Sequence, residues 1–461
     1  MNRKENKTHI RFLVLLFPIL IIAGLWFLML RYEGGKPTFH FAAFPERCGA
    51  TGELSIEVSD SKSGLRRIWV GLISNGKEKI LFEKNYESKW LLSGSSTNTE
   101  SVSVNIEPKI MDISDGSAVL QLKAWDYSWR RWWHGNQTIL EKNMVIDTRP
   151  PRIELITQTH NVRQGGCGLV IYKLSEECPE QGVMVGDNFF PGQGEYFQDS
   201  QVYLCFFALN HLQGRGTQMK VKALDAAGNL ATSGIPNYIR NKAFNEDKIL
   251  LSDAFLNSKI PELASGGVSE GASPLEKFLF VNRTLREQNE LKFKNMGERT
   301  EHTLFWRSAF GCLPRAETRA RFADLRHYYY NEKVVDEQRH LGVDLASNAH
   351  SEVPAANNGK VVFCEDIGIY GNTVVIDHGF GLFSLYSHLS SISVTQGEGI
   401  SAGQTIGYTG TTGLAGGDHL HFGMLLHNTF VDPIEWWDKE WIRNNITGKL
   451  DSAAERFPRT E

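Results

Sequence analysis

The sequence predicts a mainly β protein with an N-terminal transmembrane helix, two β-sandwich modules, a helical connector and a C-terminal antiparallel β-sheet domain. Three observations predict this order: an uncharged apolar run near the N-terminus, short alternating runs separated by turn residues, and helical periodicity before residue 300. The chain has 461 residues, 41% hydrophobic and 22% charged, as expected of a multidomain globular protein. A formal net charge of -4 gives no reason to expect nucleic-acid binding.

Residues 12–30 form the apolar run, which is interrupted only by Pro18 and Gly24. As a helix rising roughly 1.5 Å per residue, it would be about 28 Å long, close to the ~30 Å hydrocarbon core of a bilayer. It is preceded by four basic residues, Arg3, Lys4, Lys7 and Arg11. Basic residues stay in the cytoplasm, so residues 1–36 are predicted to be a cytoplasmic tail and single-pass anchor in the inner (cytoplasmic) membrane. The bulk of the chain would then lie in the periplasm or outside the cell.

A cleaved signal peptide is the alternative for this segment. The run is longer than the apolar region of a signal peptide, and no small-x-small cleavage site follows it at Leu28–Arg31. An uncleaved anchor is therefore favoured.

Two β modules are predicted over residues 37–149 and 150–240. Each contains short runs of alternating apolar and polar residues, and Pro150-Pro151 breaks the pattern between them. The last strand of each has a similar sequence, Leu-Lys-Ala-Trp-Asp at 122–126 and an equivalent ending in Asp225, which indicates an internal repeat. Both modules resemble bacterial immunoglobulin-like domains.

Four tryptophans interleave with two arginines in the first module: Trp125, Trp129, Trp132 and Trp133, with Arg130 and Arg131. Such a cluster could stack on glycan rings or dock a partner. It is also typical of a sandwich edge packed on a neighbouring domain, and packing is the favoured interpretation.

Residues 241–299 are predicted to be a helical connector. Ser273, Pro274 and Glu276 have the positions of an N-cap, a first-turn proline and a capping-box acid. An apolar stripe of helical period follows them.

The six cysteines include no C-x-x-C pair, which argues against a cysteine metal site. Three of them fall in the second β module, and a Cys167–Cys178 disulfide is the best prediction outside the cytoplasm.

Five polar residues in the last third of the chain predict a metal site: His340, Asp344, His388, His419 and His421. His419 and His421 are two apart in a predicted strand, so both imidazoles would project from one face. His340 and Asp344 are four apart, and the intervening Gly342 favours an extended segment over a helix. An isolated H-x-H is more often a surface or core pair, but imidazole and carboxylate together are zinc ligands.

From Arg339 to Pro433 the chain resembles the lysostaphin-type (LytM-domain) zinc endopeptidases of cell-wall metabolism. Their signature is an H-x-x-x-D block, a later His-Leu after a short strand, and a terminal H-x-H. The likeness extends to the hairpin at 369–379 and to the closing Val431-Asp432-Pro433. One departure is Asp418, an extra acid beside the H-x-H, which is interpreted as orienting a loop.

The resemblance implies that His340, Asp344 and His421 bind one zinc ion per chain. His388 and His419 would stay off the metal and act on the water and the oxyanion, in an order the sequence leaves open. The peptidase domain would occupy residues 300–440, with lead-in strands near 308–311 and 319–322 and a C-terminal tail at 441–461. His378 is interpreted as a turn histidine.

The implied function is hydrolysis of peptide cross-links or stem peptides of bacterial peptidoglycan. A catalytically silent module that binds cell wall or activates a separate amidase is the alternative, but all five positions are present. A third reading is a scaffold whose β modules hold a protein partner. The connector would either cover the peptidase groove or act as a passive spacer, and the spacer is favoured.

Overall fold

The computed structural model describes residues 5–88, 94–269 and 271–460, and it divides the chain into two compact units. The first unit contains residues 1–150 and 224–230, and the second contains 151–223 and 231–461. The chain is mainly β, as predicted.

Most of the elements are short strands, and the helices lie at the N-terminus, in the connector and at the C-terminus, apart from one short helix in the first β module. The α-helices are α1 (Glu5–Arg31), α2 (Arg130–Trp133), α3 (Asp253–Ser258), α4 (Ile260–Leu263), α5 (Pro274–Phe280), α6 (Arg286–Met296), α7 (Pro433–Trp437), α8 (Lys439–Ile442) and α9 (Gly448–Arg456). Two π-helical turns and one 3₁₀ turn accompany them, at Val281–Leu285, Arg443–Thr447 and Gly368–Tyr370.

The strands of the two β modules are β1 (Thr38–Phe41), β2 (Arg47–Cys48), β3 (Gly52–Ser59), β4 (Leu65–Ser74), β5 (Lys77–Asn85), β6 (Thr99–Ile106), β7 (Gly116–Asp126), β8 (Gln137–Ile146), β9 (Ile153–Leu155), β10 (His160–Arg163), β11 (Cys167–Leu174), β12 (Glu180–Val185), β13 (Asn188–Pro191), β14 (Val202–Ala208), β15 (Met219–Leu224), β16 (Leu230–Gly234) and β17 (Asn237–Arg240). The later strands are β18 (Glu246–Leu250), β19 (Glu317–Ala320), β20 (Leu325–Tyr330), β21 (Lys333–Arg339), β22 (Val343–Ala346), β23 (Glu352–Pro354), β24 (Gly359–Asp366), β25 (Asn372–Asp377), β26 (Leu382–Leu389), β27 (Ser391–Ile392), β28 (Gly399–Ile400), β29 (Thr405–Tyr408), β30 (Leu420–Leu426) and β31 (Thr429–Val431).

Helix α1 contains the predicted apolar run, with Pro18 inside it. Within the part of the chain that the structure describes, no helix combines the length and the apolar character that a membrane crossing requires. The side chains of residues 12–15 and 30, which belong to the predicted anchor, lie outside the described set.

The first β module is built from two sheets, in the orders β1-β3-β6 and β2-β8-β7-β4-β5. Alternate residues of each strand are buried, as in β3 and β7, which is the pattern expected of strands with one face on a core. Leu54 and Val58 of one sheet share a hydrophobic core with Leu120 and Leu122 of the other. The two sheets therefore form a sandwich.

The tryptophan cluster at the edge of this module is not packed as predicted. Trp132 is 87% exposed and Trp133 is 65% exposed. The backbone of Arg131 and Trp132 has positive φ, a left-handed turn that L-residues adopt rarely. Trp129 does pack, with its ring centroid 5.5 Å from that of Phe27. Trp133 keeps one ring contact, with its centroid 6.2 Å from that of Trp129. The packing interpretation is thus wrong for Trp132.

The second β region contains the sheets β14-β11-β9 and β13-β12-β15-β16 and the parallel pair β10-β17. The residues predicted to be a tail form α8, a π turn and α9 instead, and these pack on β11, where Lys449 Nζ donates to the Leu169 carbonyl at 3.0 Å.

None of the six cysteines, all within the described residues, forms a disulfide. The predicted Cys167–Cys178 bond is wrong because β11 carries the chain about 23 Å away from Cys167, at ~3.3 Å per residue. The few residues after β11 are too short to return it to the ~7 Å Cα separation that a disulfide allows.

The connector is mostly helical, and the predicted start of α5 is confirmed. Ser273 accepts from the Glu276 backbone, Glu276 caps the Ser273 backbone in return, and Pro274 occupies the first turn. The connector also contains a strand that was not predicted, because β18 pairs in parallel with β20. Of the two lead-in strands, 308–311 is not a strand, and β19 covers Glu317–Ala320.

The C-terminal β-sheet domain has one eight-stranded sheet, in the order β19-β22-β30-β26-β25-β24-β28 with β31 beside β30. Strands β25, β26 and β30 are buried along almost their whole length. The centre of this sheet is therefore rigid, and the polar residues at the ends of β22, β26 and β30 are held by it.

Candidate metal centre

The sheet register brings Asp344 and His421 together. β22 pairs antiparallel with β30, and Asp344 lies directly opposite His421. β26 pairs with the other edge of β30, and its last residue but one is His388, whose backbone has a positive φ of 63°. His340 follows the last residue of β21. His419 immediately precedes β30.

Three ligand atoms form a nearly equilateral triangle. His340 Nε2 lies 2.9 Å from His421 Nδ1 and 3.0 Å from Asp344 Oδ1, and His421 Nδ1 lies 3.0 Å from the same oxygen. All three residues are buried. A tetrahedral ion with bonds of about 2.0–2.1 Å separates its ligands by about 3.3 Å, so these atoms are spaced to share one ion.

Hydrogen bonds to the other side of each group fix these orientations. His340 Nδ1 lies 3.1 Å from the Arg321 carbonyl, which makes it the protonated nitrogen and leaves the Nε2 lone pair facing the cluster. Arg326 Nη2 donates to Asp344 Oδ2 at 2.6 Å, so that Oδ1 is the oxygen turned toward the imidazoles.

Gly342 makes room for the His421 ring. A Cβ at position 342 would lie 2.5 Å from His421 Nε2 and 2.8 Å from the Phe422 carbonyl oxygen. Within the described residues, His421 Nε2 is buried and has no hydrogen-bond partner, so Nδ1 is the nitrogen that the site uses.

Burial and mutual charge set the protonation of the three residues. Burial lowers the pKa of His340, and it lowers the pKa of His421 to about 4. Burial alone would raise the pKa of Asp344, but the charge and hydrogen bonds of His340, together with His419 and His421, hold it well below its usual range. Two neutral imidazoles and one carboxylate are the protonation states that metal ligation requires.

His388 and His419 lie beside the cluster, with ring centroids 4.8 Å apart. His388 Nδ1 lies 2.9 Å from the Thr412 carbonyl, and His419 Nδ1 lies 2.8 Å from the Gly417 carbonyl. In each ring Nε2 is therefore the nitrogen that can accept or donate a proton. His419 Nε2 lies 3.5 Å from Asp344 Oδ1.

These two histidines have opposite pKa shifts. Burial, followed by the charges of His419 and His421, lowers the pKa of His388 well below its ordinary value. Burial also acts to lower the pKa of His419, but its hydrogen bond to Asp344 and the Asp344 charge outweigh this and raise the pKa.

A cavity of about 350 Å³ opens beside the cluster. Its wall includes Ile249 of β18, Phe255 of α3 and Phe278 of α5, all from the connector. Lys259, also from the connector, donates to the Thr411 carbonyl at 2.6 Å. The favoured interpretation of the connector as a passive spacer is therefore wrong, since the segment forms one side of the cleft.

Asp418 and His378, which the sequence set apart from the ligands, lie away from the triangle. Asp418 accepts from Thr409 Oγ1 at 2.7 Å, so it orients the loop before β30. His378 is fully buried in the turn after β25, between the Asn358 carbonyl and Ser384 Oγ.

Residues 338–433 match a protein-family model, that of "Peptidase family M23". The C-terminal part of this chain is an M23 peptidase domain. The domain is 38% identical over 95 residues to DD-carboxypeptidase/endopeptidase Mpg of Neisseria meningitidis, which is 21% of this chain and 22% of that protein.

Two further relatives match the M23 domain over similar lengths. Peptidoglycan DD-endopeptidase ShyA of Vibrio cholerae is 36% identical over 96 residues, 21% of this chain and 22% of that protein. Murein hydrolase activator EnvC of Escherichia coli is 33% identical over 107 residues, 23% of this chain and 26% of that protein. The chain thus spans about a fifth to a quarter of the length of these curated relatives.

Among solved structures, the catalytic domain of the antimicrobial peptidase lysostaphin from Staphylococcus simulans is 27% identical, with a TM-score of 0.24, over 28% of this chain and 98% of that chain. A peptidase M23 from Pseudomonas aeruginosa is 19% identical, with a TM-score of 0.38, over 60% of this chain and 94% of that chain.

Proposed function

We propose that this chain is a zinc-dependent endopeptidase that hydrolyses peptide bonds in the cross-links or stem peptides of bacterial peptidoglycan. The triangle of His340 Nε2, Asp344 Oδ1 and His421 Nδ1, with sides of 2.9 to 3.0 Å, carries the proposal. The names of two relatives of the M23 domain, a DD-carboxypeptidase/endopeptidase and a peptidoglycan DD-endopeptidase, support the substrate class.

His340, Asp344 and His421 would hold the zinc ion. Two nitrogens and one oxygen suit zinc, and three protein ligands are the number that catalytic zinc sites use. When bound, zinc supplies a Lewis acid for the scissile carbonyl and lowers the pKa of water to about 7 in the best cases.

His388 and His419 would divide the proton transfers between them. The lowered pKa of His388 keeps its Nε2 unprotonated, and this nitrogen accepts the proton of the attacking water. The raised pKa of His419 favours its protonated form, which donates a hydrogen bond to the oxyanion of the substrate. Nδ1–H of each ring donates to a carbonyl oxygen, of Thr412 for His388 and of Gly417 for His419. This fixes the neutral tautomer of His388 and turns Nε2 of both rings toward the substrate.

Mass spectrometry of the muropeptides released from purified sacculi tests the proposal. The full chain, a His421→Ala variant and a His350→Asn control are compared, with zinc content measured for each. His350 is an exposed histidine with positive φ, which asparagine tolerates. Wild type and control should release the same products, and His421→Ala should release none.

Equal product patterns from wild type and His421→Ala would overturn the zinc assignment. If the zinc-loaded wild type released nothing but stimulated a separate amidase, the activator role would replace hydrolysis.

We also propose that residues 12–30 anchor the chain in the inner membrane with its C-terminal bulk outside the cytoplasm. The apolar run and the basic residues before it support this orientation. A C-terminal alkaline phosphatase fusion, which is active only outside the cytoplasm, should be active. An inactive, stably produced fusion would contradict the orientation.

A further inference from the structure

Three carboxylates are buried together in the first unit, far along the sequence from the residues discussed above. Glu33 follows α1, Asp60 follows β3, and Asp126 ends β7. Their exposed fractions are 3%, 3% and 0%. One oxygen from each lies within 4.8 Å of an oxygen from both others. Like charges buried at this distance repel one another unless something compensates them.

The hydrogen bonds to this cluster do not neutralise the negative charge of its carboxylates. In the described part of the chain, the groups that donate to it are neutral N–H or O–H groups. Gly64 N donates to Asp60 at 2.7 Å, Asn136 N donates to Asp126 at 2.6 Å, and Ser63 N donates to Glu33 Oε1 at 2.9 Å. Burial, which is the largest cause, and the charge of Asp60 raise the pKa of Asp126.

The second carboxylate oxygen of Glu33 points to a ligand. Glu33 Oε2 is buried and, among the described residues, has no hydrogen-bond partner. A protonated oxygen at this place would need an acceptor, and a charged one would need a donor or a cation. The only metal ligands in the cluster are carboxylate oxygens, and oxygen is the ligand atom that hard cations prefer. Opposite ligands of calcium, at 2.3–2.6 Å each, are about 5 Å apart, so the spacing of the three oxygens fits one ion.

The same arrangement recurs at the end of the second repeat. Asn136 Nδ2 donates to Asp126 Oδ2 and to the Glu33 carbonyl. Asn229 Nδ2 donates in the same way to Asp225 Oδ2 and to the Asp147 carbonyl. Each asparagine also donates its backbone N–H to Oδ1 of its aspartate. In both places an asparagine therefore joins a residue just before a module to an aspartate at the end of a strand, Asp126 at the end of β7 and Asp225 directly after β15.

We propose that Glu33, Asp60 and Asp126 bind a calcium ion, which ties the chain leaving α1 to the first β module. The ion would neutralise the buried charges and give Glu33 Oε2 its partner. The ion would add to the hydrogen bonds from Ser63 and Asn136 that already hold the segment after α1.

Calcium binding is tested on the full chain with zinc bound, by calorimetric titration with CaCl₂ and by thermal unfolding. The variant is Glu33→Gln, and the matched control is Glu57→Gln, which removes an exposed carboxylate from the same unit of the chain. Wild type and control should bind calcium and unfold at a higher temperature in its presence. Glu33→Gln should bind one calcium ion fewer per chain, or bind it at least tenfold more weakly.

The variant has a second expected signature. Without calcium, Glu33→Gln should unfold at the same temperature as wild type or higher, because it removes one of three crowded charges. If Glu33→Gln does not fold, Asp60→Asn is measured in its place with the same expectations. Absence of any calcium response in wild type, or equal responses in wild type and variant, would overturn the proposal. An equal response to MgCl₂ would overturn the assignment to calcium.

Discussion

The two polar clusters of this chain use different donor atoms. The M23 cluster combines two imidazole nitrogens with one carboxylate oxygen, 2.9 to 3.0 Å apart. The cluster of Glu33, Asp60 and Asp126 contains oxygen alone. Imidazole nitrogens suit a transition metal with few ligands, whereas a set of carboxylate oxygens suits a hard cation with many. Both clusters are buried, so the type of donor atom, rather than burial, separates the two kinds of site.

The strongest test of whether the two clusters bind different ions is to remove all metal and then add back one ion at a time. After treatment with EDTA, ZnCl₂ should restore muropeptide release from background, a change of at least about 10⁴-fold, because both the Lewis acid and the activated water depend on zinc. CaCl₂ alone should restore no release but should raise the unfolding temperature. Restoration of release by calcium alone would show that the two clusters are not chemically distinct.

Removing a histidine that does not bind the metal should have the next largest effect. We expect His388→Ala and His419→Ala each to lower kcat/KM by about 10²- to 10⁴-fold, the usual contribution of a positioned acid or base. Both variants should retain one zinc ion, and His350→Asn serves as the control. Loss of zinc from either variant would show that the histidine it lacks is a zinc ligand, and that the M23 cluster has more than three ligands.

His378 provides a buried imidazole that belongs to neither cluster. Burial lowers its pKa to about 4, from an ordinary 6.5, so the unfolded chain binds a proton first as the pH falls. The stability that this residue contributes is present above pH 6.5 and is lost as the pH falls toward 4, by roughly 3 kcal/mol. Urea unfolding of metal-free wild type and His378→Gln between pH 8 and pH 4 measures this, and the variant should show the shallower decline. Equal declines would assign the acid sensitivity elsewhere.

The smallest expected effect concerns Arg326, which donates a hydrogen bond to the Asp344 oxygen that faces away from the imidazoles. Without its hydrogen bond to Oδ2, the carboxylate can rotate, and Arg326→Gln should weaken zinc binding by about 10- to 100-fold. Competition with a chromogenic chelator measures the affinity. Arg319→Gln, at an exposed arginine on β19, is the control. An unchanged affinity would mean that the sheet alone orients Asp344.

Much of the fold followed from local periodicity and capping, and the exceptions have long-range causes. Strand β18 is only half-buried along alternate residues, and it is a strand because β20 pairs with it. The apolar run around Phe310 resembled a strand. Its ring packs instead between Trp306 and Trp436, and its backbone N–H donates to the Trp436 carbonyl. Neither pairing partner is visible in the local sequence.

The candidate site divides in the same way. His340, Asp344 and His421 stand in short motifs, and the resemblance of these motifs to the lysostaphin-type endopeptidases selected the three residues as ligands. The structure brings them together. Arg326 belongs to no motif, because its place behind Asp344 depends on how the sheets pack. Gly342 could have been found, since a glycine between two candidate ligands suggests a close approach. Glu33, Asp60 and Asp126 are too far apart in sequence for any spacing rule to join them.

The close contact at Gly342 has a consequence for protein engineering. Any side chain larger than hydrogen would push the neighbouring imidazole out of place without touching a ligand-forming atom. In a saturation library selected for cell-wall hydrolysis, position 342 should therefore tolerate as little change as the ligands themselves. A designer who randomises the loop for new specificity should keep this one glycine fixed.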